Sequence, residues 1–323
     1  MTKPRILVTR RWPEAVEAAL AERFDATFNE SDRPMEPEAL AEAMGRFDAL
    51  LPTVTDPLGA GTWAKASPTI RMLGNYGVGF SHIDVEAAKA AGVAVTNTPD
   101  VLSECTADIA MTLMLMAARR AGEGERELRE GRWTGWRPTH LVGAKLSGAT
   151  LGVVGFGRIG RETARRARQG FGMKILVQNR SRVPAEVLAE FGAEQAENLE
   201  ALLPRCDFVS LHCPGGAENR HLIDAARIGL MKPGAFLVNT ARGEVVDEDA
   251  LAAALAAGAI GGAGLDVYDG EPKVNPALLA CENAVLLPHL GSATRATREA
   301  MGFRVVENVA AFFEGRTPRD QVV

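Results

Sequence analysis

Residues 150–160 read TLGVVGFGRIG, an apolar run that leads directly into three glycines spaced as G-x-G-x-x-G. The run predicts a strand, and the residues after it predict a helix from 159 to about 169 and a further strand at 174–178. Between a strand and a helix, the glycines permit a tight turn, close approach of the backbone to a pyrophosphate, and tight packing of helix on strand. The spacing alone is weak evidence in a chain with 33 glycines, but with its flanking elements it predicts a dinucleotide-binding fold.

The composition narrows the class of protein. The chain has 323 residues, enough for two domains, and a net charge of −5 with interspersed signs, which favours neither nucleic acid nor a membrane surface as partner. The N-terminus leads at once into a short strand, and the longest apolar stretch, around 109–118, is too short to span a bilayer. Four cysteines without C-x-x-C spacing indicate neither a zinc site nor a disulfide framework. We expect a cytoplasmic protein with no metal site.

Strand and helix signals alternate throughout, the pattern of α/β proteins with doubly wound parallel sheets. In the first third we predict a small flavodoxin-like unit, with strands at 5–9, 26–28, 49–51, 72–74 and 93–96 and helices at 13–23, 36–44 and 84–91. A second unit has six predicted strands, the number in a full Rossmann sheet. They lie near Leu151, Lys174, Phe208, Ala235, Gly262 and Ala284.

Two of the three further predicted helices lie at the predicted domain boundaries. A helix that begins near Ser103 and continues past Arg119 leads into the second unit, and a helix at 248–257 has Asp247 as N-cap and Gly258 behind it. A last helix, 293–313, is expected to cross back to the first unit. We therefore predict two Rossmann-like domains with an active-site cleft between them: a discontinuous substrate-binding domain, 1–98 with 290–323, and a dinucleotide-binding domain, 99–289.

Each of three further runs begins as a short, strand-like apolar stretch and has one charged or titratable side chain just past its end. Arg242 lies in 239–247, Glu271 in 264–272 and His289 in 287–294. Open α/β sheets place their ligands at the carboxyl ends of strands, so these side chains are expected to meet. A guanidinium can hold a carboxylate with two hydrogen bonds, and a histidine paired with a carboxylate can donate a proton near neutral pH. The set suits a keto acid or a hydroxy acid.

The motifs together resemble the D-isomer-specific 2-hydroxyacid dehydrogenases, and among them the glyoxylate/hydroxypyruvate reductases. The resemblance extends over nearly the whole chain and includes 75–84 (NYGVGFSHID), 96–99 (TNTP), 106–108 (TAD) and the four runs quoted above. It implies catalytic roles for Arg242, Glu271 and His289. Formate dehydrogenases of similar fold carry glutamine in place of Glu271, so the carboxylate favours a hydroxyacid reaction with a proton donor.

The resemblance also implies further contacts. The substrate is expected at the backbone of Val78 and Gly79, at Arg242 and His289, and beside Ser292, with Trp136 contributed by the partner subunit of a homodimer. Trp136 lies in 131–148, the one irregular excursion we predict, which could also be a loop packed within its own subunit. Expected cofactor contacts are Thr106, Gly155, Gly157, Arg158, Ile159, Gly160, Asn179, Arg180, Ser181, Arg182, Cys213, Pro214, Thr240, Ala241, Arg242, Asp266, His289 and Gly291.

The reaction that the resemblance implies is reversible hydride transfer between a nicotinamide and C2 of a small 2-oxo acid. Glyoxylate and hydroxypyruvate are the expected substrates, giving glycolate and D-glycerate. A phosphoglycerate-type or D-lactate-type enzyme is the main alternative, and a corepressor-like binding protein that responds to nicotinamide nucleotides is a more distant one. We expect Asp266 to contact the nicotinamide amide or to order the site.

The end of the second Rossmann strand bears on the choice of cofactor. NAD enzymes place an acidic residue there, about 20 residues after the glycines, to bind the ribose 2′-hydroxyl. Residues 179–182 read NRSR instead, with no acid. Two guanidiniums and a hydroxyl can pair with a 2′-phosphate, so we predict NADP(H) as the preferred cofactor and NAD(H) as a second one. The alternative is that Arg180 and Arg182 are solvated loop charges.

Overall fold

The computed structural model describes residues 2–323. The chain divides into two compact units, one formed by the N-terminal segment through Leu102 together with Ala293–Val323, and the other by Ser103–Ser292. The predicted domain boundaries, 98/99 and 289/290, lie a few residues before these divisions. Within residues 2–323, no helix has the length and apolar character needed to cross a membrane.

The first unit contains a five-stranded parallel sheet of order β2-β1-β3-β4-β5. This is the flavodoxin-like strand order, in which the chain reverses direction across the sheet between β1 and β3. The three residues of each of the last three strands are all buried, as expected for parallel strands covered on both faces. The strands are β1 Arg5–Val8, β2 Asp25–Phe28, β3 Ala49–Leu51, β4 Met72–Gly74 and β5 Ala94–Thr96.

Five helices belong to this unit: α1 Glu14–Arg23, α2 Pro37–Met44, α3 Ala60–Trp63, α4 Val85–Ala90 and the C-terminal helix Arg295–Phe313. The C-terminal helix lies so close to the sheet that a Cβ added at Gly74 would come within 3.0 Å of Val305 and 3.1 Å of Val309. The same Cβ would lie 2.8 Å from Leu51 of the neighbouring strand β3. A Cβ at Gly302 would meet Val16 of α1 at 2.6 Å. Glycine at these positions therefore allows the helix to pack directly on β4 and α1.

The second unit contains a seven-stranded parallel sheet of order β12-β11-β10-β9-β6-β7-β8. From β8 to β12 this is the Rossmann order with one added edge strand, and the chain reverses direction between β6 and β9. The strands are β6 Thr150–Val154, β7 Lys174–Gln178, β8 Ala193–Gln195, β9 Phe208–Leu211, β10 Phe236–Asn239, β11 Gly262–Leu265 and β12 Ala284–Leu286.

The prediction of six strands in this unit was wrong by one, because β8 has no strand signal of its own. Its residues, Ala-Glu-Gln, include no β-branched or aromatic side chain. It pairs with β7, and Ala196 N donates to Val177 O of that strand. The side chain of Gln195 also accepts from Val183 N in the loop after β7.

The helices of the second unit are α5 Ser103–Ala118, α6 Ala121–Arg129, α7 Arg158–Phe171, α8 Ala185–Phe191, α9 Leu199–Leu202, α10 Ala225–Ile228, α11 Glu248–Ala256 and α12 Pro276–Leu279. The predicted continuation of the first of these past Arg119 was wrong. Arg120 has φ = 51°, which breaks the helix, and Ala144 N donates to the carbonyl of Ala118 (2.8 Å). The returning chain thus caps α5 where it ends. The predicted N-cap Asp247 does accept from Ala250 N at the start of α11.

Both faces of the seven-stranded sheet are covered. Val153 and Val177 belong to one buried apolar cluster, together with α5 and α7, whereas Val154 and Leu176 belong to another on the opposite side. Alternation along each strand therefore fills two layers of core and leaves the carboxyl edge of the sheet for polar side chains.

Candidate active site

The three fingerprint glycines have three different surroundings at the start of α7. Gly155 has φ = 90°, and a Cβ there would lie 2.7 Å from the backbone of His212 and Cys213. A Cβ at Gly160 would lie 2.2 Å from the carbonyl oxygen of Gly155, whereas one at Gly157 would meet nothing within 4 Å. The first and last glycines thus permit close packing, and the middle one leaves open space at a helix N-terminus. These features fit the pyrophosphate of a nicotinamide dinucleotide.

Asn179 occupies the position at which NAD enzymes carry an acid. Its Oδ1 accepts from Phe156 N inside the glycine turn (3.1 Å), and its Nδ2 donates to the carbonyl oxygen and the hydroxyl of Ser181 (3.1 Å each). Arg180 is 90% exposed and pairs with Glu218, itself 82% exposed, at 3.2 Å. Arg182 is also exposed. A neutral carboxamide therefore connects the glycine turn to a loop with two solvent-facing guanidiniums.

Arg242 follows β10, on a turn that Asn239 holds together. The Asn239 side chain accepts from Ala241 N (2.9 Å) and donates to the carbonyl of Arg242 (2.8 Å). The Arg242 side chain is half-buried, and burial lowers its pKa although the charges of Glu244 and Glu271 oppose that effect. The guanidinium stays protonated in any case. It is a fixed positive charge beside Glu271.

Glu271 and His289 form a direct pair. Nδ1 of His289 donates to Oε2 of Glu271 (2.8 Å), and Oε1 of Glu271 accepts from Tyr268 N (3.0 Å). The side chain of His289 is 33% exposed and that of Glu271 is 29% exposed. Because a carboxylate can only accept here, Nδ1 carries the hydrogen of this bond and Nε2 remains for other contacts.

Burial alone would raise the pKa of Glu271. The hydrogen bond from His289 and the charges of His289 and Arg242 outweigh burial, so the pKa of the carboxyl falls below its ordinary value of 4.5. Glu271 is therefore ionised at neutral pH and places a negative charge in hydrogen-bond contact with the imidazole of His289.

Asp266 orders the turn that carries His289. It is 1% exposed, and its two carboxylate oxygens accept from Leu290 N and Gly291 N at 2.7 Å each. His289 itself has φ = 55°, in the left-handed region that non-glycine residues seldom occupy. Burial raises the pKa of Asp266, although these hydrogen bonds and the charge of His289 oppose the rise. Its two backbone contacts make Asp266 an organiser of the turn.

The other predicted cofactor contacts in this unit lie along the same edge of the sheet. The hydroxyl of Thr106, in the first turn of α5, donates to the carbonyl of Gly291 (3.1 Å). Cys213 and Pro214 follow β9, and Thr240 and Ala241 follow β10. Arg158 and Ile159 are the first residues of α7. Apart from Thr106, these residues and Arg242, Glu271 and His289 all follow the carboxyl ends of five strands, β6, β9, β10, β11 and β12.

The predicted substrate residues are distributed over both units. Val78 and Gly79 lie in the first unit, in the half-buried loop after β4. Ser292 directly follows the Asp266-bound turn in the second unit and is half-buried. Trp136 is 82% exposed in the irregular segment after α6. The described residues 2–323 include no group of three or more histidine, cysteine or acidic side chains that could hold a metal ion.

Two polar residues of the site have no place in the sequence-based prediction. Asn239 shapes the turn of Arg242, and Glu244 accepts from Gly216 N (3.1 Å) and faces the guanidinium. Both lie inside the run 239–247, whose polar residues beside a strand end are the only sequence signal for them. The hydrogen-bond partner of Glu244, Gly216 N, lies elsewhere in the fold. The partners of Asn239 come within its reach only through the geometry of the turn.

The second unit thus combines a dinucleotide-binding turn, a fixed guanidinium and a histidine paired with an ionised carboxylate. This combination can bind an anionic substrate and donate a proton to an oxygen that becomes an alkoxide during reduction. It is the arrangement expected of a dehydrogenase that acts on hydroxy acids.

Comparison with known proteins agrees with this geometry. Residues 111–291 match the family model of the D-isomer specific 2-hydroxyacid dehydrogenase NAD binding domain. The glyoxylate reductase of Thermococcus onnurineus is 44% identical over 320 residues, which cover 98% of this chain and 95% of the relative. That of Pyrococcus furiosus is 43% identical over 98% of this chain and 94% of the relative.

A solved structure is similar over its whole length as well. The NADPH-dependent glyoxylate/hydroxypyruvate reductase of Sinorhizobium meliloti, in complex with NADP and malonate, has a TM-score of 0.88 and 35% identity, covering 100% of this chain and 97% of that one. The chain therefore belongs to the D-isomer-specific 2-hydroxyacid dehydrogenases, in their glyoxylate reductase branch, and is an NAD(P)-dependent oxidoreductase that reduces a small 2-oxo acid.

Proposed function

We propose that the protein reduces the C2 carbonyl of glyoxylate, hydroxypyruvate or both, giving glycolate and D-glycerate, and that it prefers NADPH. The observation that carries the proposal is the 2.8 Å hydrogen bond between His289 and an ionised Glu271. It supplies a proton donor of the kind that carbonyl reduction requires. The glyoxylate reductases among the relatives support the choice of substrate.

Each residue of the triad has a distinct role in this proposal. Arg242 binds the substrate carboxylate and polarises the carbonyl, while Asn239 holds its backbone and its guanidinium donates to the carbonyl of Ala241 (2.6 Å). His289 gives the proton on Nε2 to the oxygen at C2, while Glu271 stabilises the imidazolium through Nδ1. The nicotinamide, when bound, supplies the hydride. Asp266 keeps the His289 turn in place through its two backbone hydrogen bonds.

A substrate panel tests the assignment. Glyoxylate, hydroxypyruvate, phosphonooxypyruvate and pyruvate are compared by kcat/KM at a saturating concentration of the better cofactor. The highest values are expected for glyoxylate or hydroxypyruvate. A clear preference for phosphonooxypyruvate or pyruvate would instead identify a phosphoglycerate-type or D-lactate-type enzyme, and no turnover of any of the four would refute the assignment.

The loop after β7 supports a preference for NADPH. A carboxylate at the position of Asn179 would repel a 2′-phosphate, whereas the carboxamide present there is neutral and is engaged by Phe156 N and Ser181. The side chains of Arg180 and Arg182 face solvent, where a phosphate could pair with both. Glu218 already pairs with Arg180 at 3.2 Å, and since both side chains are largely exposed, this contact is a weak competitor.

Replacement of both arginines tests this argument. The double variant Arg180→Ala, Arg182→Ala should raise the KM for NADPH at least about tenfold, because two charge-assisted hydrogen bonds are lost, and should change the KM for NADH little. The control is a second double variant, Arg205→Ala with Arg227→Ala, whose guanidiniums also pair with carboxylates at the surface of this unit. A wild type with the higher kcat/KM for NADH, or equal loss of both cofactors in the test variant, would contradict the preference.

We further propose that the first unit is the substrate-binding domain, that the second is the dinucleotide-binding domain, and that the predicted cofactor contacts act as such. The protein is proposed to be cytoplasmic and to bind neither nucleic acid nor a membrane. The even distribution of charge along the sequence supports the absence of nucleic-acid and membrane partners.

A homodimer is proposed from the aromatic segment after α6. Trp133 and Trp136 are 50% and 82% exposed, and Leu128 and Val142 beside them in sequence are also exposed. Large exposed apolar side chains concentrated in one segment indicate a protein interface. In the proposed dimer the two second units pair and the 133–138 segment reaches the neighbouring subunit. Analytical ultracentrifugation at micromolar concentration should give twice the mass of one chain, and the mass of a single chain would refute the dimer.

A further inference from the structure

Two asparagine side chains hold three successive carbonyl groups of the loop after β4. Nδ2 of Asn75 donates to the carbonyls of Gly77 (3.0 Å) and Gly79 (3.1 Å). Nδ2 of Asn97 donates to the carbonyl of Val78 between them (2.9 Å). Asn75 is fully buried at the end of its strand, so these carbonyls are turned toward the interior of the first unit.

The orientation of the carbonyls determines that of the N–H groups. In a planar trans peptide, the C=O and the N–H of the next residue point in opposite directions. The N–H groups of Val78, Gly79 and Phe80 therefore point away from the two asparagines, on the half-buried side of the loop. Within residues 2–323, none of these three N–H groups donates a hydrogen bond, whereas Gly77 N donates to the carbonyl of Asn75.

Asn75 cannot be reversed without losing this arrangement. With its amide turned over, Oδ1 would face two carbonyl oxygens, which are acceptors like itself. In the orientation present, Oδ1 is buried and has no hydrogen-bond partner among the described residues. A buried acceptor without a donor is unfavourable, so the side chain contributes less to stability than a fully satisfied group would. The geometry of Asn75 is better explained by its effect on the loop, because its two hydrogen bonds fix the directions of the Gly77 and Gly79 carbonyls.

We propose that Asn75 and Asn97 are positioning residues for the substrate carboxylate. By fixing three carbonyls inward, they present three consecutive N–H groups, including that of Phe80, as a preformed cradle for one carboxylate group. Consecutive N–H groups that converge in this way form anion-binding concavities. This inference rests on the proposed function in that the anion is taken to be the carboxylate of a 2-oxo acid.

The test uses Asn75→Asp in the full chain. The aspartate has the same shape but no donor, so it cannot hold the two carbonyls, and it adds a negative charge behind the cradle. The probe is oxalate, a small dicarboxylate that resembles a 2-oxo acid, titrated calorimetrically into the protein with bound cofactor. The Kd for oxalate and the KM for glyoxylate should both rise at least about tenfold, while the Kd of the cofactor stays unchanged.

The chain offers a matched control in Asn29. Its Nδ2 also holds two carbonyls of the first unit, those of Thr9 and Arg33, at 2.8 Å each. Asn29→Asp therefore removes the same kind of contact from another loop and should leave oxalate binding within about twofold of the wild type. A second variant, Asn97→Ala, removes only the hold on Val78, and because Asn97 is half-buried it decides the question if Asn75→Asp does not fold.

The outcomes separate this inference from the proposed function. If the wild type reduces glyoxylate and the Asn75 and Asn97 variants bind oxalate as tightly as it does, the positioning role is wrong and the function stands. The role is also wrong if Asn29→Asp weakens oxalate binding equally or if the wild type binds no oxalate. If the wild type reduces no 2-oxo acid but Asn75→Asp still selectively weakens oxalate binding, the function is wrong and the positioning role stands.

Discussion

The charge of Glu271 should determine the pH range over which the enzyme reduces its substrate. Glu271→Gln preserves the shape of the side chain and one oxygen, which can still accept from either Tyr268 N or His289 Nδ1 but not from both. It removes the negative charge next to Nδ1 of His289. Since the carboxylate interacts most strongly with a ring that carries the proton for reduction, kcat/KM should fall most on the alkaline side of its pH profile.

The size of the effect follows from the contact between the two side chains. A hydrogen bond to a charged group contributes about 1.5–3 kcal/mol, and a neutral one about 0.5–1.5 kcal/mol. Both side chains of the pair are about one-third exposed, so solvent screens part of the difference and a loss of about 1–2 kcal/mol applies. On the alkaline side of the profile, kcat/KM should therefore be about 5- to 30-fold below that of the wild type, and at low pH the two enzymes should converge.

The assay is the kcat/KM for glyoxylate from about pH 5 to about pH 10 with saturating cofactor. Glu248→Gln is the control, because Glu248 is a second carboxylate of this unit that accepts a backbone hydrogen bond, from Asp269 N at 2.8 Å. It should leave the alkaline limb in place. A profile of Glu271→Gln that is lowered equally at every pH, with its limb unmoved, would refute a role through charge.

His289→Gln should lower kcat at least about a hundredfold with little change in the Kd of the cofactor, and near-normal turnover would remove His289 from the proton transfer. Arg242→Ala should raise the KM for the 2-oxo acid as well as lower kcat, since the guanidinium is proposed to hold the carboxylate before and during the reaction; an unchanged KM would count against that. Asp266→Asn leaves one of two buried N–H groups facing an amide, which costs about 1–3 kcal/mol and should lower the Tm by about 2–4 °C per kcal/mol, as calorimetry measures. Gly74→Ala places a Cβ 2.8 Å from Leu51 and should destabilise the first unit by about 1–3 kcal/mol without changing the Kd of the cofactor. If denaturant unfolding shows that Gly74→Ala is as stable as the wild type, Leu51 and the C-terminal helix can move to accommodate the added Cβ.

The elements that the sequence predicts well are those whose own residues are buried. Strands such as β3 and β4 coincide with the predicted 49–51 and 72–74, because an apolar run between turn signals reflects burial on both faces. The strand β8 and the end of α5 depend on partners far along the chain. Gln195 is tied to Val183, and Ala118 is capped by Ala144, and neither contact leaves a local pattern.

In the site, too, some features follow from local sequence patterns and others depend on contacts that the sequence does not reveal. The order of strand ends predicts that Arg242, Glu271 and His289 lie along one edge of a sheet, and the pairing of the latter two at 2.8 Å agrees with it. The turns that orient these side chains could not be predicted. The carboxamide of Asn239 and the carboxylate of Asp266 act on backbone groups, whose directions depend on turn geometry rather than on residue type.

Because His289 has a left-handed backbone conformation, folding stability and turnover favour different residues at this position. A residue with φ near 55° is accommodated most easily when it is glycine or asparagine, and other side chains there carry a conformational cost. Selection for folding stability alone would thus favour replacement of the imidazole. Only the reaction requires a titratable ring at this point of the chain, so a stabilising screen without an activity filter is expected to discard the residue that the chemistry needs most.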